Sequence, residues 1–298
     1  MKSLIIDGNN LIHRTFWTAK NIAGTEDEKK LSNFHIFFTV NAIKSYVNMY
    51  KPDKIIACWD EKPDYVRNER KDIFADYKGN RSSDVSPHKN NTKIKEFFYA
   101  LGIPSIFPRR LEADDVIAYL AESLEGSKVI VSVDKDFLQL VSDSIIVYDP
   151  IRKKETNIAN FTTNAECKPN QFMTIKCLTG DKSDNVPGIP KFGKVKIQKY
   201  LSGNITLTEE EESIYTRNLE LFRLDKYKDI SYRDELIYYT RDIDASIKHI
   251  ELVTNKGQYL FTEYYDLCKE HDISSILSKK EDWYNLFFVR HKLLSMFA

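Results

Sequence analysis

Short apolar runs alternate with helical stretches through the first half of the chain. Residues 3–7, 54–60, 128–134 and 145–149 read as strands. Residues 34–50 and 113–124 read as helices, the second with Val116, Leu120 and Leu124 recurring every four residues. The strands show no polar alternation, so both faces of their sheet are covered. The fold class predicted is α/β, with a mainly parallel central sheet flanked by helices. Past residue 165 or so the pattern turns helical, apart from a short strand near 236–239. This predicts an α/β domain over 1–165 and a mostly helical domain over 166–298. Thr208 followed by Glu211 fits a capping box and accounts for the acidic run at 209–212 as the first turn of a helix.

Composition adds bounds. The 298 residues are 42% hydrophobic and 30% charged, which excludes disorder and low complexity. Four cysteines without a C-x-x-C pair predict reduced thiols and a cytoplasmic setting. No run approaches the roughly 20 apolar residues of a membrane helix, so no membrane association is expected. Lys plus Arg equals Asp plus Glu at 44 each, and a neutral total argues against a nucleic-acid partner. Its distribution argues the other way, because residues 151–200 hold 10 basic and 4 acidic side chains.

The acids carry the candidate chemistry. Asp7, Asp60 and Asp134 each end an apolar strand, on the sheet edge where ligands of open α/β folds bind. Asp136 follows closely, Glu112, Asp114 and Asp115 open a helix, and Asp181 and Asp184 share one loop. Helix capping and turn formation explain each singly, as they do for Asp149 before Pro150. Converging together, they would repel one another by about 3 kcal/mol per pair at 5 Å. Such a cluster requires cations, and oxygen donors without His or Cys select Mg²⁺, with Mn²⁺ as a substitute. Two such ions suit phosphodiester hydrolysis. No nucleophile elbow, phosphate loop or dinucleotide fingerprint competes with that reading.

Two basic elements flank the acids. Residues 62–95 lack a clean period and carry nine cations, among them Arg67, Arg70, Lys71, Lys78 and Arg81, interleaved with Tyr65, Phe74 and Tyr77. That composition suits a single strand held by phosphate contacts and stacking. The second lies at about 181–201, where Gly188 and Gly193 frame a turn near Lys191, Lys194, Lys196 and Lys199. This is the logic of a helix-hairpin-helix that grips duplex backbone.

In order, Ile6-Asp7-Gly8-Asn9, Trp59-Asp60, Tyr77-Lys78-Gly79-Asn80-Arg81, Glu112-Ala113-Asp114-Asp115, Asp134-Lys135-Asp136, Thr179 to Asn185 and Pro187-Gly188 resemble the flap endonuclease or 5′-nuclease group. That group includes the 5′-nuclease domain of bacterial DNA polymerase I and phage exonucleases of the ribonuclease H type. The resemblance implies a PIN-like nuclease fold with an arch at about 62–95, and a 5′→3′ exonuclease or structure-specific flap endonuclease of replication and repair. It implies Asp7, Asp60, Glu112, Asp114 and Asp134 as ligands of a catalytic metal pair, and Asp115, Asp136, Asp181 and Asp184 as ligands of the second ion or its water shell. Lys78 would contact the scissile phosphate, with Arg81 and Arg67 steering the 5′ strand. The substrate implied is duplex DNA bearing a 5′ single strand: a flap, a nick or an RNA primer. At the hairpin, Lys191 stands where the family's middle glycine falls and Val195 where its lysine falls, which puts a monovalent cation there in question. The chain ends at 298 with no polymerase, as a stand-alone bacterial or phage nuclease would. Its apolar tail, 293–298, resembles tails that dock on a sliding clamp, although a helix packed on its own domain explains it as well. A single-strand-binding protein is a further partner of such enzymes. Two other readings are a non-catalytic structure-specific DNA-binding protein on the same fold, which would need a gap in the acidic set that the sequence does not show, and a PIN-type ribonuclease, which also clusters acids at strand ends but which the hairpin and arch argue against.

Overall fold

The computed structural model describes all residues except 24–26, 61–68, 82–85, 109–110, 226–235, 239–256 and 290–298. The chain opens with β1 (Lys2–Asp7), α1 (Gly8–Ala23), α2 (Glu28–Tyr50), β2 (Lys54–Cys58) and α3 (Arg70–Ile73). Next come α4 (Asn91–Ala100), β3 (Ser105–Pro108), α5 (Ala113–Ser123), β4 (Ser127–Val131), β5 (Ile145–Asp149) and β6 (Lys154–Thr156). Then α6 (Phe161–Ala165), α7 (Pro169–Thr179), β7 (Gly180–Asp181), β8 (Val186–Pro187), α8 (Lys194–Leu201) and α9 (Glu209–Phe222) follow. The expected strand near 236–239 is present as β9 (Leu236–Tyr238), before α10 (Gly257–Glu270). Two compact units result. One comprises Met1–Asp60, Asp84–Phe107 and Leu236–Ala298, the other Glu61–Ser83 and Pro108–Glu235. Each unit is assembled from separated stretches of chain, where the sequence pattern placed a single boundary near 165.

In the first unit, β1, β2 and β3 pair in parallel, Asp7 opposite Cys58 and Cys58 opposite Ile106. Leu4, Ile5, Ile6, Ile56, Ala57 and Cys58 are buried, as uninterrupted apolar strands require. Helix α1 escapes the pattern because Gly8-Asn9-Asn10 reads as a turn. The Asp7 carboxylate supplies its cap, accepting from the Asn10 amide at 3.0 Å. A Cβ at Gly8 would lie 2.6 Å from the Trp59 ring and 2.7 Å from the Cys58 carbonyl oxygen. Only glycine lets the helix start this close to the strand. Helix α2 begins six residues before the apolar pattern does, because Asp27 accepts from the Lys30 amide at 3.0 Å.

In the second unit β4 and β5 pair in parallel and β6 turns back antiparallel on β5. Asp149 accepts from the amides of Ile151 and Arg152, both at 2.9 Å, so turn formation accounts for it. The Thr208 capping box closes through amide bonds of 3.3 Å and 3.1 Å with Glu211. Strands β7 and β8 cross so closely that a Cβ on Gly180 would lie 2.3 Å from the Gly188 nitrogen, and one on Gly188 would lie 2.3 Å from Thr179. All four cysteines carry free thiols. Among the described residues no helix is long and apolar enough to cross a membrane.

His35 sits fully buried at the heart of the first unit. Its Nε2–H donates to the Ile12 carbonyl at 2.9 Å, while Nδ1 accepts from the Asn90 amide at 3.2 Å. The Ser32 hydroxyl donates to Asn90 Oδ1 at 2.8 Å, which turns the amide NH₂ toward the ring. Only a neutral imidazole can accept at Nδ1. Burial, joined by the nearby His88, outweighs the Ile12 hydrogen bond and lowers the pKa to about 4. The unfolded chain therefore binds the extra proton below pH 6.5, and stability falls as pH drops from there toward 4. We expect His35 to account for a loss of about 2–3 kcal/mol between pH 7 and 4.5, read from urea unfolding. His35→Gln should flatten that part of the slope; an unchanged slope in the variant would contradict the assignment.

Candidate active site

Two expected ligands lie in the first unit. Asp7 is the last residue of β1, and Asp60 stands two residues past β2. Asn9 ties Asp60 down twice, donating from Nδ2 to Oδ2 at 3.0 Å and accepting the Asp60 amide at 3.3 Å. Sequence reasoning gave Asn9 no role. The signal available was its place, in the first turn of a helix that starts beside the strand end.

In the second unit the acids are met by the protein's own cations. Asp115 is fully buried and takes the Arg70 guanidinium on both oxygens, at 2.6 Å and 2.8 Å. The same carboxylate accepts the Glu112 amide at 3.1 Å, closing the N-terminus of α5. Arg70 also donates from Nε to the Leu221 carbonyl and lies 3.6 Å from Glu112. Burial opposes its charge, but Asp115 and Glu112 outweigh burial and raise its pKa. The expected DNA contact at Arg70 is therefore corrected: the side chain is 3% exposed and bound internally.

Tyr77 is corrected in the same way. Its hydroxyl donates toward Glu112 at 3.0 Å and Asp184 at 3.3 Å, and its ring is buried with Cys177, Val186, Leu221 and Phe222. Burial first, then the Glu112 charge, raise its pKa, so it stays a hydrogen-bond donor between two carboxylates. Aromatic residues near cations suit stacking on bases and a core equally well, and only the packing separates the two.

Lys78 and Arg81 face the acids from the same turn. Lys78 donates to Glu112 at 2.8 Å, and Arg81 donates to Asp184 at 2.7 Å. Burial lowers the Lys78 pKa, but the charges of Glu112, Asp114 and Asp184 more than reverse that. The Arg81 side chain remains 53% exposed. Lys71 is exposed, and Arg67 lies outside the described residues.

Asp134 caps a short helical turn by accepting the Asp136 amide at 2.8 Å. Asp136, Asp181 and Asp184 come together, with one oxygen of each lying within 4.8 Å of the others. Glu112, Asp114, Asp115 and Asp134 stand outside that group of three. Lys176, on α7, donates to Asp136 and, at 2.9 Å, to Asp181. Burial pushes Asp181 up, yet hydrogen bonds from Ser183 and the Lys176 ammonium bring its pKa down to about 2. Burial raises that of Asp136. Three oxygen donors from different side chains, converging within 4.8 Å of one another, fit a hard divalent ion. A groove of about 800 Å³ runs from Asp134, Asp136 and Asp181 to Lys194, Ile197 and Gln198.

Lys191, Lys194, Lys196 and Lys199 are exposed, and Lys194 lines the groove. Gly193 meets nothing within 4 Å, an open backbone position. Gly188 is different: the Thr179 backbone fills the space over it, so it serves the chain's own crossing instead of a phosphate. Lys191 adopts the left-handed conformation at φ 59°, a backbone shape that favours glycine and that a lysine holds under strain. Val195 projects into solvent, 72% exposed.

The 5′-3′ exonuclease N-terminal, resolvase-like domain matches residues 2–174. The 5′-3′ exonuclease of Aquifex aeolicus is 31% identical over 91% of this chain and 96% of its own length. DNA polymerase I of Caldicellulosiruptor bescii is 27% identical over 94% of this chain, which spans 33% of that longer protein. In fold, the chain is similar to the bacteriophage T5 D15 flap endonuclease, solved with DNA and metal ions. That match has a TM-score of 0.58 and 18% identity, covering 91% of this chain and all of the other.

The Arg70–Asp115 fork generates a test. Arg70→Met leaves a carboxylate buried without its cation, so we expect a loss of about 3–5 kcal/mol in urea unfolding at pH 7. A loss below about 1 kcal/mol, the size typical of an exposed pair, would refute the structural role.

Proposed function

The chain belongs to the 5′-3′ exonuclease family, and on that premise we propose that it cleaves phosphodiesters where a 5′ single strand joins duplex DNA. Flaps, nicks and RNA primers share that structure. The observation that carries this reading is the convergence of one oxygen each from Asp136, Asp181 and Asp184, with two cations at the acids, Arg81 on Asp184 and Lys78 on Glu112. Nuclease activity is the family's; Mg²⁺ as its ion, Mn²⁺ as a substitute and the flap as its substrate are our own reading.

We assign Asp136, Asp181 and Asp184 to one divalent ion, and Glu112, Asp114 and Asp134 of the same unit to the other. Asp115 is left out, because both its oxygens are engaged by Arg70. Bound there, the ions would supply an activated water and stabilise the charge of the phosphoryl transition state. The chain's own residues do the rest. Arg81, half exposed, exchanges Asp184 for a phosphate of the incoming strand. Lys78, held by Glu112 in a left-handed turn at φ 56°, stays at the acids and meets the developing negative charge. The lysines of the hairpin grip duplex backbone without reading sequence. The D15 flap endonuclease, solved with DNA and metal ions, supports a DNA substrate and a metal-dependent reaction.

A 5′-flap duplex with a labelled 5′ end tests this directly. We expect no cleavage in EDTA, and a fall of about 10³-fold or more in kcat/KM for Asp134→Ala. Undiminished cleavage in either case would overturn the metal reading. Binding without cleavage in both Mg²⁺ and Mn²⁺ would indicate a non-catalytic DNA-binding protein, and cleavage of RNA alone a ribonuclease.

Lys78→Ala separates chemistry from binding. It should lower the single-turnover rate by about 10²-fold while the Kd for the flap rises less than about ten-fold. Equal losses in both would make Lys78 a simple phosphate contact.

A further inference from the structure

Nothing in the sequence singles out Lys176, an isolated lysine five residues before Asp181. In the structure it bridges two of the acids. Its side chain is 10% exposed, and its ammonium bonds Asp136 and Asp181 and lies 4.6 Å from the centre of the Phe222 ring. Those two acids belong to the group of three whose oxygens converge. A divalent ion held by them would sit roughly 2.0–2.5 Å from each oxygen, in the space between them that the ammonium bridges. Like charges at that separation exclude each other.

Resting on the metal-dependent reading above, we propose that Lys176 is the resident counter-ion of Asp136 and Asp181, which a divalent ion must displace in order to bind there. The lysine has somewhere to go. It lines the same groove as Lys194 and Gln198, where the strand's phosphates would lie. A phosphate that accepts the ammonium frees both carboxylates. DNA binding and ion binding at this position therefore support each other, by the same factor in each direction. In the absence of DNA the lysine keeps two converging carboxylates neutralised and holds the ion's affinity down. The nuclease is thereby armed chiefly when substrate is in place.

Mn²⁺ binding, counted by electron paramagnetic resonance or calorimetry, tests this without relying on turnover. In Lys176→Met the weaker of two Mn²⁺ ions should bind about ten-fold or more tightly than in wild type, while Lys176→Arg stays within about three-fold. A cleavage-incompetent DNA with a phosphorothioate junction should tighten that ion in wild type and leave Lys176→Met little changed. Equal or weaker Mn²⁺ binding in Lys176→Met overturns the proposal alone. No Mn²⁺ binding to any of the three proteins overturns the metal-dependent reading and this proposal with it. Should the methionine variant fail to fold, reductive methylation of the wild-type protein decides. Saturating Mn²⁺ should raise Lys176 labelling, read by mass spectrometry, about ten-fold or more as the ammonium is released. Labelling that stays the same while Mn²⁺ binds overturns the displacement.

Discussion

Repulsion between carboxylates is the constraint around which the second unit is organised. Seven of the expected acids fall in it: Glu112, Asp114, Asp115, Asp134, Asp136, Asp181 and Asp184. A pair about 5 Å apart costs roughly 3 kcal/mol even at an effective dielectric near 20. Among the described residues the fold answers with four cations of its own. Arg70 takes Asp115 and approaches Glu112, Lys78 takes Glu112, Arg81 takes Asp184, and Lys176 takes Asp136 and Asp181. The four differ in how far they can let go. Arg70 is sealed in a bidentate fork and serves stability, whereas Arg81 is half in solvent and can trade its carboxylate for a phosphate. A residual negative charge remains, which is what a site built to attract divalent ions needs.

Helix α9 holds this arrangement in place. The Leu221 carbonyl at its end receives Arg70, and the Phe222 carbonyl receives the side-chain amide of Gln139, from the turn that Asp134 caps. The buried Asn218 amide donates to the carbonyls of Cys177 and Pro187, joining the end of α7 to β8 across the loop that carries Asp181 and Asp184. Arg217 adds a bond to the same Pro187 carbonyl and stacks on Phe74. One helix thus braces three acid-bearing or cation-bearing segments. Carbonyl contacts of this kind leave little trace in sequence, because the partner's side-chain identity does not matter to them.

The apolar runs specified the strands because a parallel strand buried on both faces tolerates few polar residues, and β1, β2, β4 and β5 all follow that rule. The acids stood out for the opposite reason: polar residues at strand ends are conspicuous beside such runs. Helix α1 stayed hidden because its cap is Asp7, a residue read as a strand end, and because Gly8 serves a close approach to Trp59 that no local pattern records. Arg70 and Tyr77 were misplaced on the DNA because a cation and an aromatic ring carry the same composition whether they face solvent or a buried acid.

Sequence by itself determined the fold class, the family and a set of candidate acids, since these depend on periodicity and on residue types whose chemistry is narrow. Tertiary structure decided which acids share a centre and which cation each acid holds. Asp136, Asp181 and Asp184 meet, Asp115 is consumed by Arg70, and Lys176, silent in the chain, stands between two of the three. The reason is electrostatic. Charge pairing acts over a few ångströms in space, and partners 34 to 103 positions apart, as Lys78 is from Glu112 and Arg81 from Asp184, reach that range only after the strands, helices and the α9 brace have brought them there.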